Sequence, residues 1–146
     1  DRVVVMKEGE IQQYSTPLQM VSNPSNDFVG KFVLQMNILP VHFINNSYST
    51  CIGLLQLPTD ERISTNSVCM FDKMSITIES DINGCFKVIS REYRINHYIY
   101  TVVYKSLKLR VEIGLETTLN IGDKCNISYI SGKDYVILPE RLKLKF

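Results

Sequence analysis

Thiols, imidazoles, paired carboxylates, glycine-lysine turns and a row of tyrosines are the groups in this chain of 146 residues that could do chemistry. Cys51, Cys69, Cys85 and Cys125 lie far apart with no Cys-x-x-Cys pair, and only His42 and His97 could complete a metal set. Zinc ligands come in closely spaced pairs, so no metal site is expected. The cysteines read instead as buried or half-buried free thiols of a reducing compartment. Neither histidine stands in a nucleophile motif with a Cys or Ser. Glu79 with Asp81, and Glu112 with Glu116, could be cast as acid–base pairs. Carboxylates so spaced on strands and turns are ordinary solvated groups unless their surroundings separate their pKa values, and no catalytic residue is assigned. A phosphate loop needs Gly-x-x-x-x-Gly-Lys-Ser/Thr so that backbone N–H groups wrap the phosphates. Gly30-Lys31-Phe32 and Gly132-Lys133-Asp134 lack the earlier glycine and the hydroxyl. A nucleotide site of that type within the chain is excluded, and no cofactor is expected in it.

Tyr98, Tyr100 and Tyr104, flanked by Arg91, Arg94 and Lys105, could form a stacking platform for single-stranded nucleic acid. The same spacing puts them on one side of a strand, as a core or a subunit contact also would. With 16 basic against 15 acidic residues and a net charge of +1, no overall field draws a polyanion. The three tyrosines are therefore candidate interface positions, and nucleic acid is not expected as a partner. Ser131, Gly132 and Lys133 offer backbone N–H groups and a cation, a candidate site for a small anion. The plainer reading of the same stretch is a hairpin turn.

These groups need elements to carry them. Residues 2–6 are a β-branched run, Lys7-Glu8-Gly9-Glu10 supplies a turn, and Ile11–Tyr14 returns as a second strand. Thr16-Pro17 and Asn23-Pro24 are two helix-start signals, each a capping residue followed by proline at the first helical position. The first opens a short turn through Ser22. The second opens a helix whose Phe28, Val29, Phe32 and Val33 form one apolar stripe. From Leu34 the texture changes to alternation, with strands expected near 36–44, 50–57, 67–71 and 75–79. Cys85–Tyr93 and His97–Tyr104 pair across Arg94-Ile95-Asn96. Leu107–Ile113 alternates as a half-buried antiparallel strand, and Lys124–Ile130 and Tyr135–Leu144 are the last two strands, around Ser131–Asp134. The expected fold is mainly β: a small OB-like antiparallel barrel preceded by a hairpin and one or two short helices. No charged leader with an apolar core and no apolar run near membrane-spanning length stands out, so the chain reads as cytoplasmic.

The opening stretch resembles the end of the ATP-binding subunit of bacterial ABC importers of the maltose, polyamine, iron and oxyanion type. Those subunits carry a strand like "DRIVVM", a Gly turn, an "I-x-Q-x-G-T-P" segment, then "P-x-N-x-F-V-x-x-F-I-G" and "M-N-x-L". Here they stand as Asp1–Met6, Gly9, Glu10–Pro17, Pro24–Val33 and Met36-Asn37-Ile38-Leu39. The match in order and spacing runs across about forty residues. Residues 84–113 resemble the later hairpins of the regulatory barrel, called TOBE, that follows in this family, and Ile137–Leu142 resembles its closing strand. Ser15, Leu34 and Arg94-Ile95-Asn96 depart from the family's usual glycines and Leu-Gly turn.

The resemblance implies that residues 1–33 are the remnant of an ATPase domain with its linking helix and residues 34–146 a TOBE/OB-like regulatory domain. ATP and magnesium would bind in an upstream domain that holds the Walker and signature motifs, so no catalysis is expected of this chain. The implied role is to dimerise and to restrain or report on the ATPase cycle, with Tyr98, Tyr100 and Tyr104, or the exposed face of Leu107–Ile113, at the interface. Its implied partners are a second copy, the ATPase domain and, through that domain, the permease subunits at the inner face of the cell membrane. The opening strand would lack neighbours, with its hairpin packed on the linking helix or on a neighbouring chain. Two other roles are weighed: sensing of a small ligand such as an oxyanion, with Ser64–Ser67 or Ser131–Lys133 as donors, and binding of single-stranded nucleic acid by the barrel.

Overall fold

A computed structural model describes residues 1–45, 47–55 and 67–139. The first hairpin forms as expected, β1 (Val3–Lys7) against β2 (Glu10–Ser15), with Gly9 at φ +84° in the turn, a conformation that glycine adopts without cost. Helix α1 (Pro17–Ser22) starts at Thr16, whose side chain accepts from the Gln19 N–H while the Gln19 side chain accepts from the Thr16 N–H. This reciprocal pair satisfies two end groups that the helix cannot bond internally. The second helical piece is a single π-helical turn, Val29–Val33. Its start is set by Asn26, whose side-chain oxygen accepts from the Val29 N–H at 3.0 Å, and not by Asn23. The expected stripe is also divided: Val29 is fully buried, whereas Phe32 stacks on Phe28 and stays largely exposed.

Twelve strands follow one another in the described residues, all paired antiparallel. One five-stranded sheet runs β10-β9-β8-β11-β7, from β7 (Ile76–Ser80), β8 (Phe86–Arg94), β9 (His97–Tyr104), β10 (Leu107–Gly114) and β11 (Lys124–Tyr129). The other runs β12-β6-β3-β4-β5, from β3 (Asn37–Ile44), β4 (Ser47–Thr50), β5 (Gly53–Leu55), β6 (Ser67–Phe71) and β12 (Val136–Pro139). The fold is thus mainly β and antiparallel, as expected, but the barrel is not closed. Among the described residues the edge strands β10 and β7 of the first sheet pair only with their inner neighbours. A backbone bond from the Glu112 N–H to the Lys73 carbonyl joins β10 to the turn before β7.

The expected strand at 50–57 is broken at Cys51-Ile52 into the ends of β4 and β5, and its last residues lie outside the described ones. Ser131–Asp134 is not the loop of a hairpin. It carries the chain from β11 in one sheet to β12 in the other, and β12 pairs with β6. Residues 140–144 of that expected last strand lie outside the described residues.

The two sheets share one core. Leu39, Tyr48, Phe71, Ile76, Val88, Tyr100, Leu109 and Val111 are among its buried members. The continuous run Ser67–Phe71 is buried at every position because β6 is covered on both sides. Cys69 and Phe71 face the common core, while Val68 and Met70 pack with Ile38, Met36, Val136 and Leu138. An uninterrupted apolar run of this length is what a strand covered on both faces requires.

Candidate functional site

The tyrosine row divides between core and surface. Tyr100 is fully buried, and its hydroxyl donates to the Thr117 carbonyl at 2.9 Å and accepts from the Leu119 N–H at 3.1 Å. The candidate interface position at 100 is therefore taken up inside the chain: the phenol spans from β9 to the loop before β11, and no face of it reaches a partner. Tyr98 and Tyr104 are half-buried and lean on the same core from opposite ends of the strand. Tyr98 contacts the Tyr93 and Tyr100 rings edge-on or tilted, and the Arg91 guanidinium lies 5.2 Å from its centroid. Arg91 also donates to the Leu119 carbonyl. Tyr104 packs against Phe86, with the Lys105 ammonium 5.2 Å from its ring. Arg91 and Lys105 sit on the rings, occupying faces that a stacked base would use, while Arg94 pairs with Glu92.

Ser131, Gly132 and Lys133 form an exposed turn, with Gly132 at φ +83° and the Lys133 N–H donating to the Ile130 carbonyl at 3.3 Å. The Tyr129 hydroxyl donates to the Lys133 carbonyl. One of the turn's N–H groups is thus used internally, and the second donor stretch weighed for an anion, residues 64–66, lies outside the described residues. Ser67 is buried within β6.

The remaining groups separate in the same way. His42 is exposed. His97 places Nε2 at 3.5 Å from Glu112, which also meets Lys73 at 3.3 Å, and its Nδ1 lies 2.8 Å from Asn96 Oδ1. Asp81 is engaged by the Asn83 N–H and the Asn126 amide. All four cysteines are unpaired; Cys69 and Cys125 are buried as expected, whereas Cys51 and Cys85 are exposed. Burial pushes the Cys69 thiol up to about 12, and burial with the nearby Asp123 carboxylate pushes Cys125 up to about 11. Such thiols are poor nucleophiles and poor metal ligands. Among the described residues no group of three or more His, Cys, Asp or Glu could hold a metal ion, and no helix is long and apolar enough to cross a membrane.

Similarity to curated proteins identifies the relatives. The chain is 24% identical over 140 residues to the spermidine/putrescine import ATP-binding protein PotA of Mycoplasmopsis synoviae, covering 82% of this chain and 30% of that protein. It is 29% identical over 139 residues to the Fe(3+) ions import ATP-binding protein FbpC of Streptomyces coelicolor, covering 94% of this chain and 40% of that protein. It is 26% identical over 152 residues to the sulfate/thiosulfate import ATP-binding protein CysA of Bacillus cereus, covering 96% and 42%. The chain is a relative of ABC importer ATP-binding subunits. It spans between 30% and 42% of the length of these three importer subunits. No protein-family model matches it.

The residues that carry the resemblance to importer subunits have structural work of their own. Asn26 is buried, caps the π-helical turn and donates to the Gln12 side chain of β2 at 3.0 Å, tying that turn to the hairpin. Asn37 is also buried. Its amide donates to the Arg110 carbonyl and accepts from the Arg110 N–H, both at 2.7 Å, filling one bonding station at the free edge of β10. This side chain joins the two sheets as a neighbouring strand would. Sequence reading missed both roles; the signal was a polar residue standing at the entrance to an apolar run.

Proposed function

We propose that the chain is the C-terminal regulatory and dimerisation part of an ATP-binding subunit that energises solute import across the cell membrane. The observation that carries the reading is the alignment of 82% to 96% of this chain with a third or so of such subunits. Residues 1–33 are then the end of the ATPase domain with its link, and residues 34–146 the regulatory domain. ATP and magnesium bind in the ATPase domain, and the permease subunits are met through it, at the inner face of the membrane. The hairpin suits this place: β1 and β2 pair only with each other among the described residues, and Val4, Met6, Ile11 and Tyr14 are exposed. An apolar hairpin with open edges is ready to extend another sheet.

Two regulatory domains that stay joined while the ATPase domains open and close act as a hinge. Tyr98 and Tyr104 are the interface positions that this reading retains. Sedimentation equilibrium of the chain at high micromolar concentration tests it. A dimer is expected, shifted to monomer by the double substitution of Tyr98 and Tyr104 to serine. Monomer at every concentration would remove the dimerisation role, and a dimer indifferent to both changes would remove the two tyrosines from its interface.

A further inference from the structure

A groove of about 490 Å³ opens beside β10, between the π-helical turn and the β9–β10 hairpin. Lys31, Lys108 and Arg110 line it with Gln35 and Ser106, and no carboxylate lines it; Met36, Ile38 and Leu107 supply an apolar floor. We propose that this groove binds a small organic anion, a phosphate or carboxylate carried on an apolar body. Its volume falls within the range of small-molecule sites, which combine an apolar lining with a few placed polar groups.

The cations differ in how firmly they are held. Arg110 is the fixed one: Asn37 grips its backbone on both sides, and its guanidinium donates to Gln35 and to Glu92, each at 3.1 Å. These two bonds fix the plane of the guanidinium and leave further N–H donors, since the group has five. Glu92 offsets part of the charge and is shared with Arg94. Lys31 and Lys108 are exposed and free to close over a bound anion. Beside the groove lie further cations. Lys108 pairs in register with Val103, Val103 with Lys87, and Lys87 with Lys124, which sets three exposed lysines in one row across the outer face of the sheet. In a chain of net charge +1 this row concentrates positive potential beside the groove. The apolar floor disfavours a bare, strongly hydrated ion, and the three cations disfavour a neutral ligand. Together they select an amphipathic anion.

Calorimetry with naphthyl phosphate, inorganic phosphate and naphthol separates these contributions. Naphthyl phosphate is expected to bind at least about tenfold more tightly than either of the others, since each supplies only one half of the recognition. Lys108→Glu and Lys31→Glu are each expected to weaken it by about tenfold, whereas Lys124→Glu, on the same face but away from the groove, changes it by less than about threefold. All three side chains are exposed, and circular dichroism confirms that the variants fold. Three results would overturn the proposal: no heat with naphthyl phosphate at millimolar concentration, equal binding of inorganic phosphate or of naphthol, or a loss in Lys124→Glu matching that in Lys108→Glu. The measurement is independent of dimerisation and of any ATPase domain, so the proposal and the regulatory reading can fail separately.

Discussion

The hairpin with its two helical pieces and the double-sheet body are held together by different means. In the first region Val5, Met20 and Val29 are the buried cluster, with Phe28 and Leu34 against it, while Ile11 at 64%, Leu18 at 79% and Phe32 at 74% stay exposed. In the second, seventeen buried side chains among the described residues make one continuous core between the sheets. A lone two-stranded hairpin is marginal in water, so the first region leans on polar bonds. Gln13 accepts from the Ser25 N–H and donates to the Asn23 carbonyl, Ser25 donates to the Gln12 carbonyl, and Asn26 joins the π-helical turn to Gln12. It also leans on the body, where Gly30 sits directly over Met70 of β6. The difference is that the body carries its own stability, and the hairpin borrows.

The largest test strikes the body's core. Tyr100→Ala removes a fully buried ring and is expected to cost about 3–5 kcal/mol. Tyr100→Phe removes only the hydroxyl that serves Thr117 and Leu119 and is expected to cost about 1–3 kcal/mol. Urea titration of both variants gives the two values, and a neutral Tyr100→Phe would mean that the loop before β11 is held by packing alone. Next come two glycines, one in the body and one at the junction. A Cβ at Gly84 would stand 2.4 Å from the Cys125 carbonyl oxygen, so a strand must move. Gly84→Ala is expected to cost about 2–3 kcal/mol. A Cβ at Gly30 would meet the Met70 sulfur at 2.5 Å, the far part of a flexible side chain. Gly30→Ala should therefore cost less, and its effect should appear in hydrogen exchange of the hairpin rather than of β9. The reverse order would mean that β11 yields more easily than Met70.

Alkaline pH loads the same comparison from the body's side, because both buried thiols lie there. The folded pKa values of Cys69, about 12, and Cys125, about 11, stand above the ordinary thiol value of about 8.5. Their contribution to stability is complete below about pH 8.5 and is lost as pH rises toward the folded values, since the unfolded chain ionises first. From pH 9 to pH 10 the loss of stability is expected to be smaller by about 1 kcal/mol in Cys69→Ala than in the parent chain, each referred to its own value at pH 8. Equal pH slopes in the two proteins would show that Cys69 ionises freely in the folded state.

Much of this body was legible in the sequence, because period-two alternation survives wherever one face of a strand is covered. β9 falls at 97–104 and β6 at 67–71 as expected. Alternation does not say which sheet a strand joins, so Ser131–Asp134 read as a hairpin turn although β11 and β12 separate there. Nor does it distinguish inside from outside when both faces are covered. Ile99 and Tyr100 are both buried, and a tyrosine whose spacing suited either core or interface proved to be core. The groove beside β10 was not legible at all: Lys31 and Lys108 are distant in the chain, and the bonds of Arg110 to Asn37 and Gln35 bring their elements together.

The smaller tests belong to the hairpin. Asn26→Ala deletes the bond to Gln12 and the cap on Val29, and is expected to cost about 1–2 kcal/mol. Thr16→Ala deletes the reciprocal pair with Gln19 at an exposed helix start and is expected to cost about 0.5–1 kcal/mol. If the hairpin borrows its stability, both changes speed hydrogen exchange in β1, β2 and α1 and leave the slowest amides of β8 and β9 unchanged, because the body unfolds without reference to the hairpin. If instead Thr16→Ala lowers protection in β9 as much as in β2, the two regions unfold as one cooperative unit. In that case the contact of Gly30 with Met70 transmits as much stability as the body's own core, and the hairpin would have to be counted part of the body rather than an addition to it.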